Sequence, residues 1–197
     1  MSTRDLSLSS EGKFKILEDT VSYKRYLTVR KRETLFDDGR QISWDVVGNT
    51  TIFVTVFTFD TKKKTTTILA EYAQGTNDLR YTLAAGAYES KKHDSVIAAA
   101  RAELSEEAFL KDGEWISLLP EGIGELKWST NVFYPFLVLD PVDDPSPPPR
   151  DLEETIQIYK DVTMDELHRI ILSGDMMLPS VQTCYMAIEH LKQKQLI

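Results

Sequence analysis

Cys184 is the only cysteine in the chain, so no internal disulfide can form and a reducing compartment, with the cytosol as default, is expected. Its neighbours, VQTCYMAI, read as a buried helical face, which makes a packed thiol the expectation and not a nucleophile. No run approaches the ~18 apolar residues of a membrane span. The opening MSTRDLSLSSEGK has no apolar segment of the kind a signal peptide needs. A basic surplus is also missing. The formal net charge is −8, and phosphate backbones reward the opposite sign, so nucleic acid is not expected as the partner. His93, His168 and His190 do not fall at a ligand spacing, so no zinc site is expected, and no Ser/His/Asp or Cys/His pattern stands out. There is no internal repeat, and proline crowds into PVDDPSPPPR at 141–150, a loop without helix or strand potential. What remains is ordinary for a soluble globular protein: 197 residues, 42% hydrophobic and 27% charged, enough for one domain or one domain with a small appendage.

Within that frame one stretch stands apart, LAAGAYESKKHDSVIAAARAELSEEAFL from Leu83 to Leu110. It reads as a glycine turn, a polar loop and a helix. Val96, Ile97, Ala100, Leu104 and Ala108 make an apolar stripe at helical spacing. Glu103, Glu106 and Glu107 fall at i, i+3 and i+4 and so share a neighbouring side. Like charges so placed destabilise a helix slightly, so the cluster invites a cation. Carboxylates completed by water and phosphate are a typical Mg²⁺ environment. The plainer alternative is a solvated acidic face, since glutamate is a good helix former.

The glycine, loop and acidic helix together resemble the Nudix box, whose pattern is G-x5-E-x7-R-E-U-x-E-E-x-G-U with U aliphatic. Glu103 takes the first helix glutamate, Leu104 the aliphatic position, Glu106 and Glu107 the pair, and Leu110 the closing aliphatic. Gly86 takes the opening glycine if the loop holds two extra residues, and Asp94 then stands where the first glutamate belongs. Three departures make the box degenerate: Ala102 replaces the arginine, Arg101 comes one place early, and Phe109 replaces the late glycine.

The rest of the chain extends the resemblance toward the ADP-ribose and nucleotide-sugar pyrophosphatase branch. FKILED and VSYKRYLTVRKRETLF are β-rich, DDGR at 37–40 is a turn, and QISWDVV is a strand that closes a hairpin. In the branch this region pairs two subunits and presents an aromatic residue to the base, which makes residues 1–50 a candidate dimerisation region ahead of a hydrolase domain at 51–197. Trp44 is the candidate aromatic, or else a hairpin or interface anchor. TIFVTVFTFD (51–60) reads as a strand buried on both faces, with TILAEYA (67–73) as its partner after a polar turn. The branch carries Gln-Tyr-Arg here, whereas this chain has Glu71-Tyr72-Ala73. Arg80 is then the nearest candidate for a phosphate, or else a solvated loop arginine. VFYPFLVLD is a core strand whose proline implies an edge or a bulge. The ending follows the branch: a strand at Ile156–Tyr159, a helix capped by Thr163 with Glu166 three later, a stop at Gly174 and a last helix.

The resemblance implies an α/β fold, an α/β/α sandwich with a mixed central sheet and an N-terminal β-hairpin region. It also implies Mg²⁺-dependent hydrolysis of a diphosphate in a small-molecule substrate, with Mn²⁺ as an alternative ion. Glu103, Glu106, Glu107 and the Ala85 carbonyl are the candidate metal ligands. Glu106, Glu153 and Glu154 are candidates for the catalytic base, with Asp151 beside them, and Trp44, Arg80, Gly86 and Phe109 for substrate contacts. Two other readings stay open: a prenyl or other non-nucleotide diphosphate as substrate, and a catalytically weak module that binds a nucleotide or a protein.

Overall fold

The structure, a computed structural model of the chain, describes residues 11–151 and 154–197. The described residues form two compact units, one of residues 11–50 and 126–131, the other of residues 51–125 and 132–197. Residues 126–131 thus join the first unit, outside the expected 1–50 range.

In the first unit, β1 (Phe14–Lys24), β2 (Thr28–Phe36) and β3 (Gln41–Val47) form an antiparallel sheet in that order. This is one strand more than the expected hairpin. The expected break after Asp19 is absent because β1 stays paired with β2 through two register shifts, and the chain reverses only at Arg25–Leu27. Asp19 lies between Arg30 and Arg32, within 2.5 and 2.6 Å. The 126–131 segment is held to β3 by Val47 N donating to the Trp128 carbonyl and Thr130 N donating to the Val47 carbonyl, at 2.8 and 2.9 Å. Phe14, Phe36, Trp44 and Trp128 line a groove of about 500 Å³. The apolar side chains of β1, among them Ile16, Val21 and Tyr23, are about half exposed.

The second unit is built on β4 (Ile52–Phe59), whose alternate residues serve opposite faces. Beyond it the elements are β5 (Thr65–Ala73), β6 (Asp78–Thr82), β7 (Ala84–Ala87), α1 (Val96–Ala108), β8 (Leu110–Lys111), β9 (Glu114–Ser117), β10 (Ile123–Gly124), β11 (Val132–Leu139), β12 (Val142–Asp143), β13 (Ile156–Thr163), α2 (Met164–Ser173) and α3 (Leu178–Gln193). β4 pairs antiparallel with β7 and parallel with β11, and β9 and β10 both pair with the far edge of β11, so the sheet is mixed. A second sheet has the order β13-β5-β6. Val54 and Val56 meet Ala100, Leu104 and Ala108 of α1 on one face. Phe57 and Phe59 meet Leu167 and Ile171 of α2 and Cys184, Ala187 and Leu191 of α3 on the other. The result is the expected sandwich of helix, mixed sheet and helices.

Several local expectations change. β5 shares no ladder with β4 beyond the Asp60–Thr65 bridge, where Thr67 N also donates to Thr58 Oγ1 at 3.2 Å, and its strand partners are β13 and β6. β11 is an interior strand despite Pro135. The Pro135 carbonyl accepts from Leu118 N at 3.0 Å, on the edge that β9 and β10 share, and neither strand pairs with Tyr134 or Pro135. The missing N–H of proline therefore falls in the gap between them, where no ladder bond is lost. Residues Val142–Asp143 of the proline-rich loop form a short strand with β8. Ile97 of the predicted stripe is 36% exposed, while Ala99 replaces it in the core.

α3 is seated on the sheet by buried hydroxyls as well as apolar contact. Thr55 Oγ1 and Thr183 Oγ1 share a short hydrogen bond, and Ser180 Oγ meets Thr82 Oγ1 and accepts from Leu83 N, both at 3.1 Å. Among the described residues no helix is long and apolar enough to cross a membrane.

At α2, Thr163 and Glu166 form a full capping box, and Gly174 closes the helix at φ 82°. Thr163→Ala should therefore cost about 1 kcal/mol. A urea titration checks this, and an unchanged midpoint would refute the role of the cap.

Candidate active site

α1 begins cleanly because Ser95 accepts from Ala98 N at 3.2 Å. Its buried side is Ala99, Ala100, Leu104 and Ala108, small enough to bring the helix close to β7, and Glu107 joins them. Glu107 is only 3% exposed, and its Oε2 accepts from Ala85 N at 2.8 Å. One turn earlier, Glu103 lies against Gly86. A Cβ at residue 86 would fall 2.0 Å from Glu103 Oε1, so any larger residue here would push the Glu103 carboxylate out of its present position.

The electrostatics describe the same pocket. Burial raises the Glu103 carboxyl to about 7, and the charges of Glu106, Glu154 and Asp151 add to it, with Lys92 acting the other way. Burial also pushes Glu107 well above the ordinary carboxylate range, with Glu103, Glu71 and Glu154 reinforcing it and the Ala85 amide opposing it. Glu106 is raised by burial and then by Asp151, and Glu154 by burial, Glu106 and Asp151. The structure thus gathers Glu103, Glu106, Glu107, Glu154 and Asp151 in one neighbourhood and adds Glu71 of β5, itself raised by burial. Among the described residues Glu154 Oε2 is buried without a hydrogen-bond partner.

Among the described residues no three acidic, histidine or cysteine side chains are drawn into the geometry of a bound metal ion. The donor set nevertheless fits a hard divalent cation: buried carboxylate oxygens, one of them orphaned among the described residues, crowded by like charges and opposed by Lys92 and Arg150.

The remaining expected site residues are placed as follows. Phe109 is the C-cap of α1, in the left-handed region at φ 57° where glycine is usual, and its ring lies 4.7 Å from the Arg150 guanidinium. Arg80 is paired with Asp175 at 2.6 Å and donates to Thr76 Oγ1 at 3.3 Å, with neither partner in the glutamate set. Trp44 belongs to the first unit, 41% exposed, with Lys127 Nζ 5.8 Å from its ring centre. Arg101 is turned onto the Trp115 ring at 5.1 Å. Glu153 lies outside the described residues. Glu71, Lys92 and Arg150 were not picked out from the sequence. Glu71 had a readable signal, since it stands two places beyond Leu69, which is buried against α1, and so faces the same way along β5.

Glu103 in the folded chain keeps its proton up to about pH 7, whereas unfolding returns it to its ordinary value of 4.5. The stability it contributes is full below that ordinary value and is lost as pH rises through about 7. Glu103→Gln should therefore stabilise the metal-free protein at pH 8 by roughly 2 kcal/mol, about 4–8 °C in midpoint, and leave it unchanged near pH 4.5. Thermal unfolding at the two pH values measures this, and an equal effect at both would be inconsistent with a buried, charge-crowded Glu103.

No family model matches the chain, and no curated protein matches it in sequence. A solved structure described as the crystal structure of an ADP compounds hydrolase aligns with a TM-score of 0.81 at 18% identity, over 96% of this chain and 100% of that one. At that identity the likeness shows the fold: this chain has the mixed α/β architecture of an ADP compounds hydrolase.

Proposed function

We propose that the chain is a Nudix-type, metal-dependent hydrolase that cleaves the diphosphate of a nucleoside diphosphate linked to a further group, such as ADP-ribose or a nucleotide sugar. The observation that carries this is the burial of Glu103 and Glu107 side by side on α1, both held above the ordinary carboxylate range. Structural acids avoid such burial unless paired, whereas a site that receives a cation needs it. The fold shared with an ADP compounds hydrolase supports the nucleoside diphosphate class.

Glu103 and Glu107 would hold the ion, with Glu106 completing the set directly or through water. The Ala85 carbonyl, on the strand edge whose amide meets Glu107, offers a further oxygen. When bound, the ion supplies charge neutralisation of the diphosphate and acidification of water. Glu154 is the best-placed base, because its Oε2, without a hydrogen-bond partner among the described residues, can accept a proton from the attacking water, and burial raises its basicity. Gly86 keeps the floor of the site open beside Glu103. A non-nucleotide diphosphate is the second reading, favoured by Arg80 being engaged by Asp175.

The half-exposed apolar side of β1 supports a homodimer formed through the first unit. Ile16→Glu combined with Val21→Glu should give a monomer in sedimentation, and an unaltered sedimentation coefficient would count against this face.

Incubation with Mg²⁺ and ADP-ribose, UDP-glucose, a dinucleotide or a prenyl diphosphate should release phosphate-containing product from a nucleotide substrate. Glu107→Gln should reduce that turnover by roughly two orders of magnitude or more. Absence of turnover with ligand binding retained would replace the enzyme by a binding module.

A further inference from the structure

α1 closes in a left-handed turn, with Phe109 N donating to the Leu104 and Ser105 carbonyls, but two helpful features are missing. It has no basic residue in its own last turn, and the left-handed position is held by a residue with a Cβ, which costs energy there. The helix brings no cation of its own to its carboxylates either, since residue 102 is alanine and Arg101 lies on Trp115. Arg150, from the loop ahead of β13, meets these deficits. Its Nε donates to the Glu106 carbonyl at 3.3 Å, one Nη to the Glu107 carbonyl at 2.5 Å, and the other Nη to the Ile156 carbonyl at 3.1 Å. The same plane covers the Phe109 ring. A guanidinium can satisfy three carbonyls and stack at once, and its charge complements the negative end of the helix.

We infer that Arg150 is a positioning residue that locks Glu106 and Glu107 of α1 in register with Asp151 and Glu154, so that the carboxylates meet a divalent cation as a preformed set. It joins the two segments that carry the acids, the last turn of α1 and the residues just ahead of β13. Asp144 makes a second tie nearby, accepting from Ser105 Oγ at 2.7 Å and pairing with Lys111 at 3.3 Å, but it lies on the far side of the proline run from the acids. Arg150 thus sets the spacing between the two acidic segments together with the Asp151 backbone, which hydrogen-bonds the Glu106 carboxylate. The inference rests on the reading of these glutamates as cation ligands.

Binding of Mn²⁺ to the purified full-length protein, followed through the free-ion spin-resonance signal, tests it together with amide hydrogen exchange of the metal-free chain. Arg150→Ala should weaken Mn²⁺ binding about tenfold or more and speed exchange in the last turn of α1 and at the start of β13. Arg150→Lys should retain fold and helix-end charge yet recover less than half of that affinity on a logarithmic scale, because an ammonium is a point donor and cannot bridge three carbonyls. Phe109→Leu, which removes only the stacking surface, should weaken binding by about threefold and carries the test if Arg150→Ala does not fold. Wild-type affinity in Arg150→Ala or in Arg150→Lys, with Glu107→Gln defective, overturns the positioning role alone. Absence of Mn²⁺ binding in the wild type overturns the cation reading and this inference with it.

Discussion

Putting several carboxyl groups of one sign into a poorly solvated space is the constraint from which the second unit follows. Each buried acid raises the cost of its neighbours; the Asp151 backbone offsets part of this at Glu106 and Glu154, and Glu107 is met by the amide of Ala85. The strand that supplies that amide must therefore lie close to the helix. β7 reads Ala84-Ala85-Gly86-Ala87, the smallest side chains available, and α1 answers with Ala99, Ala100 and Ala108. Small residues on both partners allow the approach, and the approach leaves the glutamates little water.

The two faces of the sheet then divide the work. On the α1 face, apolar packing stops where the acids begin, so the core ends in a polar pocket. On the face covered by α2 and α3 the core runs on through Phe57, Phe59, Leu137, Leu167 and Leu191 without a buried charge among them. Rigid packing on one side supports the crowded acids on the other, an arrangement that holds side chains more firmly than loops alone.

How much of this could be read from residues depends on the range of the interaction. α1, the capping box of α2 and the glycine stop at residue 174 are all set within a turn or two of chain, and they were legible. So was the doubly buried character of β4. The pairing of β5 with β13 and β6 was not, because a strand that follows a tight polar turn carries no mark of which edge it will seek. Pro135 misled for a related reason: a proline is excluded from an interior strand only when its missing donor faces a partner, and the gap between β9 and β10 cannot be read in advance. The acids of α1 were visible by spacing, whereas Arg150 was hidden in a proline-rich loop, its role arising only when the chain brings residues 106 and 150 together. Phe109 looked like a departure from a pattern, and in the structure it keeps the left-handed turn that the pattern's glycine provides.

The hydroxyls under α3 carry one more consequence. A helix resting on purely apolar surface can shift along its axis by part of a turn with little loss, because dispersion is nearly indifferent to which methyl meets which. Thr183 and Ser180 remove that indifference. A displacement of even a fraction of the roughly 5.4 Å pitch would strand Thr55 and the Leu83 amide in a dry interface. These bonds act like the teeth of a key, adding modestly to how tightly α3 is held and a great deal to where. Since Thr55 is the register partner of Ala85 across β4 and β7, the seating of a helix on one face fixes the strand from which the opposite face builds its acidic pocket.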